Sequence, residues 1–212
     1  MTGLLFDLDG TLLDTLEDLL SATNYALRVH GYPERTLGEL RRFVGNGALN
    51  QIRCSVPEGV DPAPVLKTYQ AYYPSHCRIR TRPYDGIMEA LELVGKSYPV
   101  AIVSNKPDAA VKELCGELFP GIFALGERPD CPRKPAPDMV RMAMAAIGAD
   151  RCLYIGDSEV DILTAKNAGV PCLSVTWGFR DEADLVRQGA ERLCRSPEEL
   201  PQAVRDAVAA MN

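Results

Sequence analysis

The chain has little of what metal-thiolate sites and disulfide-stabilised folds are built from. Its 212 residues include only two histidines, and its seven cysteines are widely scattered without a CxxC pair. Zinc sites need closely spaced Cys or His ligands, and disulfide frameworks need an even set of cysteines. We therefore expect neither of these, and we expect thiols that are reduced and mostly buried.

Long apolar runs and excess positive charge are missing as well. No segment approaches the roughly 18–20 apolar residues of a membrane-spanning helix. Residues 1–14 are rich in aspartate, whereas a secretion signal has a basic start and an apolar core. The 23 Lys and Arg against 29 Asp and Glu give a net charge of -6, the wrong sign for binding nucleic-acid phosphates. We expect a cytoplasmic protein without a membrane or nucleic-acid partner.

Five short apolar runs alternate with segments of helix length. Runs of this kind are typical of strands that are buried on both faces of a sheet. Strands that alternate with helices form a parallel sheet with helices on both sides. The predicted fold is therefore a doubly wound, Rossmann-like α/β core. The runs lie at 4–6, 100–103, 122–125, 152–155 and 172–175.

The alternation stops between the first and second runs. Leucines recur at helical spacing from residue 16, Thr36 and Glu39 have the spacing of a capping box, and a further helix start is predicted near residue 61. This pattern predicts a small all-helical domain at 15–82, inserted after the first strand. The α/β domain then consists of 1–14 and 83–212.

Polar side chains that can carry chemistry follow the predicted strands. The carboxyl ends of parallel strands meet at one edge of a sheet, where ligands bind. Acids that gather there without enough bases repel one another. A bound Mg²⁺ ion, which takes oxygen ligands, is the simplest way to reduce this repulsion. The residues expected at this edge are Asp7, Asp9, Ser104, Lys134, Asp157 and Asp161.

A metal ion and a lysine at this edge favour phosphoryl transfer. One of the carboxylates Asp7 and Asp9 can attack phosphorus and form an aspartyl phosphate. The other can protonate the leaving alcohol and then deprotonate the attacking water. Gly10 permits a sharp turn whose amides approach a phosphate. Ser104 and Lys134 are expected to hold the phosphoryl oxygens.

Four segments resemble the motifs of the haloacid dehalogenase superfamily, in the same order along the chain. They are FDLDGTLLDT at 6–15, SNK at 104–106, RKPAP at 133–137 and GDSEVD at 156–161. The dehalogenases lack the second aspartate of the first motif, so Asp9 implies phosphate rather than halide chemistry. The resemblance also implies that the helical insert is the cap domain of this superfamily, which closes over the site and admits small substrates.

The resemblance implies a role for each motif residue. Asp7 is expected to be the nucleophile and a Mg²⁺ ligand, and Asp9 the general acid/base, with its backbone carbonyl on the metal. Asp157 is expected to complete the metal site, and Asp161 to support Lys134 or a metal-bound water. The residues expected to contact the phosphoryl group or the substrate are Gly10, Thr11, Ser104, Asn105 and Lys134.

Within the superfamily, the segments 44–48, 82–86 and 165–169 are similar to those of phosphoglycolate phosphatases, although Asp85 stands where proline is common. This similarity implies a Mg²⁺-dependent phosphatase acting on a small phosphomonoester, with 2-phosphoglycolate as the first expectation. The partner is then a small phosphorylated metabolite. The chain is expected to be a monomer or a homodimer.

Other interpretations of the same residues stay open. A phosphosugar mutase of the β-phosphoglucomutase kind or a pyrophosphatase would use the same scaffold. A receiver-like signalling domain also phosphorylates a strand-end aspartate, but it needs a long-lived phosphoryl group and no leaving-group acid such as Asp9. Locally, Ser104 could instead cap a helix that begins near Pro107, and Lys134 could be a solvated surface charge.

Overall fold

The computed structural model describes residues 1–211, which form eight strands and ten α-helices. A 3₁₀ turn at Tyr73–Ser75 follows the fourth helix. In chain order the elements are β1 (Thr2–Phe6), β2 (Leu13–Asp14), α1 (Leu16–Val29), α2 (Leu37–Phe43), α3 (Gly47–Ser55), α4 (Ala63–Tyr72), β3 (Arg82–Pro83), α5 (Ile87–Gly95), β4 (Val100–Pro107), α6 (Asp108–Leu118), β5 (Phe123–Glu127), α7 (Asp138–Ala146), β6 (Arg151–Gly156), α8 (Glu159–Ala168), β7 (Cys172–Val175), α9 (Glu182–Arg187), β8 (Leu193–Cys194) and α10 (Leu200–Ala209).

Six strands form a parallel sheet in the order β5-β4-β1-β6-β7-β8. The chain leaves the central strand β1 toward β4 and β5 on one side and then returns to β6, β7 and β8 on the other. The crevice at such a reversal, beyond the carboxyl ends of the strands, is where open α/β sheets bind ligands. The predicted doubly wound fold is confirmed, and its reversal point lies between the strands that precede Asp7 and Asp157.

The central strands are buried on both faces because their side chains alternate between two hydrophobic clusters. In β1, Leu4 and Phe6 belong to the larger cluster and Leu5 to the smaller one. In β6, Leu153 belongs to the larger cluster and Tyr154 to the smaller one. This burial on two sides explains why both strands are apolar at nearly every position.

The four helices α1–α4 lie between β2 and β3, two short strands that pair with each other antiparallel. The helix starts predicted near residues 16, 36 and 61 are confirmed. The Glu39 N–H donates to Thr36 Oγ1 at 3.3 Å and the Thr36 N–H donates to Glu39 Oε2 at 2.8 Å, which is the predicted capping box. The sequence predicted only a turn at 45–47, where α3 begins, because glycine disfavours a helix there.

In the last third of the chain, one expectation is wrong and one strand was not predicted. The spacing of Ser196 and Glu199 predicts a capping box, but α10 begins at Leu200. The Glu199 carboxylate instead accepts the Arg195 N–H at 3.1 Å. The edge strand β8, only two residues long, has too short an apolar pattern to be predicted.

None of the helices described within residues 1–211 combines the length and apolarity needed to cross a bilayer.

Candidate active site

The first site residue, Asp7, lies at the carboxyl end of β1. Its N–H donates to Ile155 O at 2.8 Å, so Asp7 still continues the sheet alongside β6. The chain then turns sharply, because the N–H groups of Leu12 and Leu13 both donate to Leu8 O, at 3.0 and 2.9 Å. This turn holds Asp7 at the reversal point of the sheet.

Two glycines let the backbone pack closely against Asp157, which follows β6. Gly10 has a φ of 83°, and a Cβ added at Gly10 or at Gly178 would collide with the Asp157 side chain. Asp157 Oδ1 accepts the Thr11 hydroxyl at 3.2 Å, and Oδ2 accepts the Phe179 N–H at 2.7 Å. The loops after β1 and β7 therefore fix the orientation of this carboxylate.

Lys134 lies fully inside the protein beside these acids. Its Nζ is 2.8 Å from Asp7 Oδ1 and 2.9 Å from Asp161 Oδ1, and it donates to the Tyr154 hydroxyl at 3.1 Å. These three partners match the three N–H groups of an ammonium. The interpretation of Lys134 as a solvated charge is wrong, because its side chain is only 1% exposed.

Asp161 is already hydrogen-bonded to the protein through both of its carboxylate oxygens. Its Oδ1 pairs with Lys134, and its Oδ2 accepts the Ser158 N–H at 3.1 Å and the Ser158 hydroxyl at 2.7 Å. It lies in the first turn of α8, where a carboxylate also interacts favourably with the helix dipole. Asp161 therefore anchors the lysine and the start of the helix.

Burial and mutual repulsion disfavour the charged forms of the other two acids. Burial, followed by the charge of Asp161, raises the pKa of Asp7 well above its ordinary value, although Lys134 opposes this. Burial and Asp161 raise the pKa of Asp157 to about 7, despite the hydrogen bond from Phe179. Burial lowers the pKa of Lys134, but Asp161 and Asp7 outweigh it and raise that pKa, so the lysine is charged.

Asp7, Asp157, Asp161 and Lys134 are called the carboxylate cluster below. One oxygen from each of the three acids lies within 4.8 Å of the others. A hard divalent cation with oxygen ligands would relieve the repulsion that raises the pKa values of Asp7 and Asp157. The residues present therefore fit Mg²⁺. Asp7 and Asp157 are the natural side-chain ligands, because these two acids line the cavity at the strand ends and Asp161 does not.

Asp9 pairs with a second buried lysine. Lys106 Nζ donates to Asp9 Oδ1 at 2.7 Å, and Ser104 Oγ lies 3.5 Å from Asp9 Oδ2. Burial lowers the pKa of Lys106, but the charge and hydrogen bond of Asp9, together with Tyr69 and Cys77, outweigh it and raise that pKa. The idea that Ser104 caps a helix is wrong, because α6 begins only at Asp108 and the Ser104 hydroxyl accepts the Lys106 N–H at 3.1 Å.

Lys106 was not singled out from the sequence, although it stands in the second motif. It follows Ser104 by two residues on β4, and alternate residues of a strand share a face. The two-residue spacing from Ser104 was therefore the sequence signal that could have placed Lys106 in the site.

A cavity of about 40 Å³ lies between the strand ends and the helices α1–α4. A cavity of this size favours a small ligand. The core contributes Asp7, Asp9, Ser104, Lys106 and Asp157 to its lining, and the helical part contributes Gln51 and two tyrosines. Gln51, Tyr69, Tyr73 and Lys106 are called the cap-facing wall below. The three wall residues of the helical part could not be predicted, because nothing near them along the chain distinguishes them from core residues.

Side chains from both parts also bridge the rim of the cavity. Asn105 Nδ2 donates to Lys134 O at 3.0 Å and to Gly45 O at 3.2 Å, so this motif residue connects the lysine loop with the helical part. Arg41 of α2 donates to Gly178 O at 3.0 Å. The helical part is thereby hydrogen-bonded to the end of β4 and to the loop after β7.

Arg180 makes the most extensive of these bridges. Its guanidinium pairs with Glu159 at 2.8 and 3.1 Å, and it donates to Arg41 O at 2.8 Å and to Val44 O at 3.0 Å. The preceding residue, Phe179, holds Asp157 through its N–H. A single loop therefore connects the helical part to the carboxylate cluster. The position after the predicted strand at 172–175 was the signal that could have indicated Arg180.

Comparisons with known proteins agree with this geometry. A family model described as haloacid dehalogenase-like hydrolase matches residues 4–175. The chain is 36% identical to a phosphoglycolate phosphatase of Rhodobacter capsulatus over 189 residues, covering 84% of this chain and 85% of that protein. A phosphoglycolate phosphatase of Cereibacter sphaeroides is 34% identical, covering 99% and 100%. A crystal structure from Lactobacillus delbrueckii subsp. bulgaricus, described as a candidate phosphoglycolate phosphatase, has a TM-score of 0.90 at 38% identity and covers 95% and 97%.

The chain therefore belongs to the haloacid dehalogenase-like hydrolases. Within that family it is a phosphoglycolate phosphatase-like protein, and the predicted enzyme class, a hydrolase of phosphoric monoesters, is confirmed.

Proposed function

We propose that this chain hydrolyses a small phosphomonoester, with 2-phosphoglycolate the first candidate, using Mg²⁺ and an aspartyl phosphate on Asp7. The observation that carries the proposal is the position of Asp7. Its carboxylate is 2.8 Å from the Lys134 ammonium and shares the 4.8 Å cluster with Asp157 and Asp161. A nucleophile beside both cation-binding oxygens and a fixed positive charge suits attack on a phosphoryl group. The names of the relatives support the choice of substrate.

In the first half of the reaction, an Asp7 oxygen attacks phosphorus while the bond from phosphorus to the leaving oxygen breaks. Lys134 offsets the negative charge on the phosphoryl oxygens, and the Ser104 hydroxyl and the amides near Gly10 donate hydrogen bonds to them. Asp9 in its protonated form gives a proton to the leaving oxygen, so the alcohol departs neutral. The phosphoryl group is now bonded to Asp7.

In the second half, the ionised Asp9 takes a proton from a water molecule that attacks phosphorus. The bond from phosphorus to Asp7 breaks, inorganic phosphate is released, and Asp9 is again protonated. Lys106, 2.7 Å from Asp9, stabilises the ionised form between the two halves. Mg²⁺, held by the carboxylates of Asp7 and Asp157 and by the Asp9 carbonyl, would supply charge neutralisation and polarise a phosphoryl oxygen.

The proposal includes a division into a core of 1–14 and 83–212 and a cap of 15–82. It is supported by the position of α1–α4 between the paired strands β2 and β3, and by the cavity between these helices and the sheet. A cap at this place would exclude water from the site and admit only small substrates. A cytoplasmic location and a monomeric or homodimeric state stay predictions.

The test is phosphate release from 2-phosphoglycolate by the purified chain with Mg²⁺ and with EDTA. We expect Asp7→Asn to lower kcat by at least about 10⁴-fold, because it removes the nucleophile but keeps its size. Asp14→Asn is the matched control, since Asp14 stands in the same motif but faces Arg82 at 3.8 Å outside the cavity. Acid-quenched wild-type enzyme should carry labelled phosphate on Asp7. Normal turnover by Asp7→Asn, or turnover unchanged by EDTA, would contradict the proposal.

A further inference from the structure

Lys106 is the only lysine or arginine among the residues that line the cavity within the described part of the chain. Its side chain is 2% exposed, and its Nζ lies 2.7 Å from Asp9 Oδ1 and 4.9 Å from the centre of the Tyr73 ring. An ammonium has three N–H groups, and Asp9 is its hydrogen-bonding partner among residues 1–211. Lys106 therefore keeps hydrogen-bonding capacity inside the cavity.

Tyr73, whose ring faces the Lys106 ammonium, has a second donor without a partner among the described residues. The residue is 2% exposed and lines the cavity, and its hydroxyl has no hydrogen-bond partner within residues 1–211. Burial, followed by the charge of Asp9, raises the pKa of Tyr73 well above its ordinary value, so the hydroxyl keeps its proton. A buried donor without a partner is costly, and a ligand acceptor would satisfy it.

The other buried lysine does not have this free capacity. Lys134 contacts Asp7, Asp161 and the Tyr154 hydroxyl, which together use all three of its N–H groups. Within the cavity, a second negative group on a substrate would therefore find its cation at Lys106. Both the ammonium and the phenol are donors, so the group that fits them accepts at more than one oxygen, as a carboxylate does.

We propose that Lys106 and Tyr73 bind a carboxylate on the alcohol portion of the substrate, and that the enzyme therefore selects phosphate esters of small hydroxy acids over those of neutral alcohols. This inference rests on the proposed phosphatase function and adds the residues that would set its substrate class. The cavity of about 40 Å³ limits the carbon chain between the two anionic groups to a short one.

The alternative is that Lys106 acts only through Asp9, by keeping that carboxylate in position. Loss of Lys106 would then slow every substrate by the same factor, because each substrate needs the same proton transfer. A direct contact with the substrate carboxylate predicts an additional loss that only acidic substrates show. The ratio of kcat/KM for two matched substrates separates these cases, since any shared effect on Asp9 cancels.

The experiment compares 2-phosphoglycolate with 2-hydroxyethyl phosphate, in which a neutral CH₂OH group replaces the carboxylate. We expect the wild-type ratio of kcat/KM values to favour the acid, and Lys106→Met to lower this ratio about 10- to 100-fold, the worth of a hydrogen bond to a charged group. Lys106→Arg keeps the charge and should retain more of the ratio than Lys106→Met. Lys112→Met is the control, because Lys112 is an exposed lysine of α6 paired with Asp108.

Tyr73→Phe provides a second measurement that does not depend on how well the lysine variants fold. It keeps the ring and removes the hydroxyl, and it should lower the same ratio about 3- to 10-fold. Ratios that stay at the wild-type value in both Lys106→Met and Tyr73→Phe would overturn the inference. If the wild-type enzyme hydrolyses both esters without preferring the acid, the inference fails while the phosphatase function stands. If it hydrolyses neither with Mg²⁺, the proposed function fails too.

Discussion

The two lysines of the site have contrasting surroundings. In the carboxylate cluster, Lys134 has three partners, and both oxygens of Asp161 and of Asp157 accept hydrogen bonds from the protein. In the cap-facing wall, Lys106 has one carboxylate partner and an aromatic face, and the Tyr73 hydroxyl has no partner within residues 1–211. The polar groups of the carboxylate cluster are therefore paired within the protein, whereas the cap-facing wall has hydrogen-bond donors that no protein group within residues 1–211 uses.

This difference follows from where the partners come from. The carboxylate cluster is built by loops of one sheet, whose parallel strands bring them together at a single edge. The wall combines a lysine of β4 with side chains of α3, α4 and the turn after α4. We infer that the first half carries the chemistry and the second half selects the alcohol. Three experiments could break or sharpen that contrast.

The largest effect is expected for Lys134→Met. Removing this ammonium leaves buried acids without their counter-charge, which costs on the order of 3–5 kcal/mol of unfolding free energy. The loss of a fixed positive charge at the phosphoryl group should also lower kcat about 10²- to 10³-fold. Denaturant unfolding and phosphate release check the two effects. The control, Lys112→Met, breaks an exposed pair and should cost less than about 1 kcal/mol. If both variants lost the same unfolding free energy and the same activity, the difference inferred between the two halves of the site would be contradicted.

The next effect concerns the pH dependence of the chain stripped of metal with EDTA. Asp157 has a pKa of about 7 in the folded state against 3.8 as the ordinary value, so between these pH values the folded chain binds more protons than the unfolded chain. The unfolding free energy of the chain should therefore fall as pH rises from about 4 to 7, by roughly a few kcal/mol for a shift of this size. Asp157→Asn should flatten this slope. Added Mg²⁺ should raise stability most at pH 8, where the carboxylate is ionised, and an identical slope in Asp157→Asn would contradict the account.

The smallest effect is expected for Arg180→Met, which breaks the bridge between the two halves. The variant loses the pair with Glu159 and the hydrogen bonds to Arg41 O and Val44 O, while the residues that donate to Asp157 are unchanged. We expect kcat/KM to fall about tenfold, and the Mg²⁺ concentration for half-maximal activity to rise, because the loop that holds Asp157 is less fixed. Arg187→Met removes an exposed pair with Asp184 on α9 and is the control. A result equal to that control would show that the halves work independently.

Much of the fold and of the carboxylate cluster could be predicted from the sequence, because local patterns carry them. Five near-continuous apolar runs identify the sheet, and Asp7, Ser104 and Asp157 stand at the carboxyl ends of three of them. The contact between Lys106 and Tyr73 in the wall could not be predicted, and the reason is physical. Tyr73 stands at the end of a helix far from Lys106 along the chain, and only packing across the cavity makes them neighbours.

By itself, the amino-acid sequence determined the parallel sheet, the helical insertion and the set of acids at one edge, since burial on both strand faces and the direction of parallel strands leave few other arrangements. The tertiary structure alone decided which partner each charge has. It gave Lys134 a complete set of acceptors, joined Lys106 to Asp9 and Tyr73, and connected the helices to Asp157 through the loop of Arg180. Such pairings depend on distances of a few ångströms between segments far apart in the chain, and no local pattern specifies those distances.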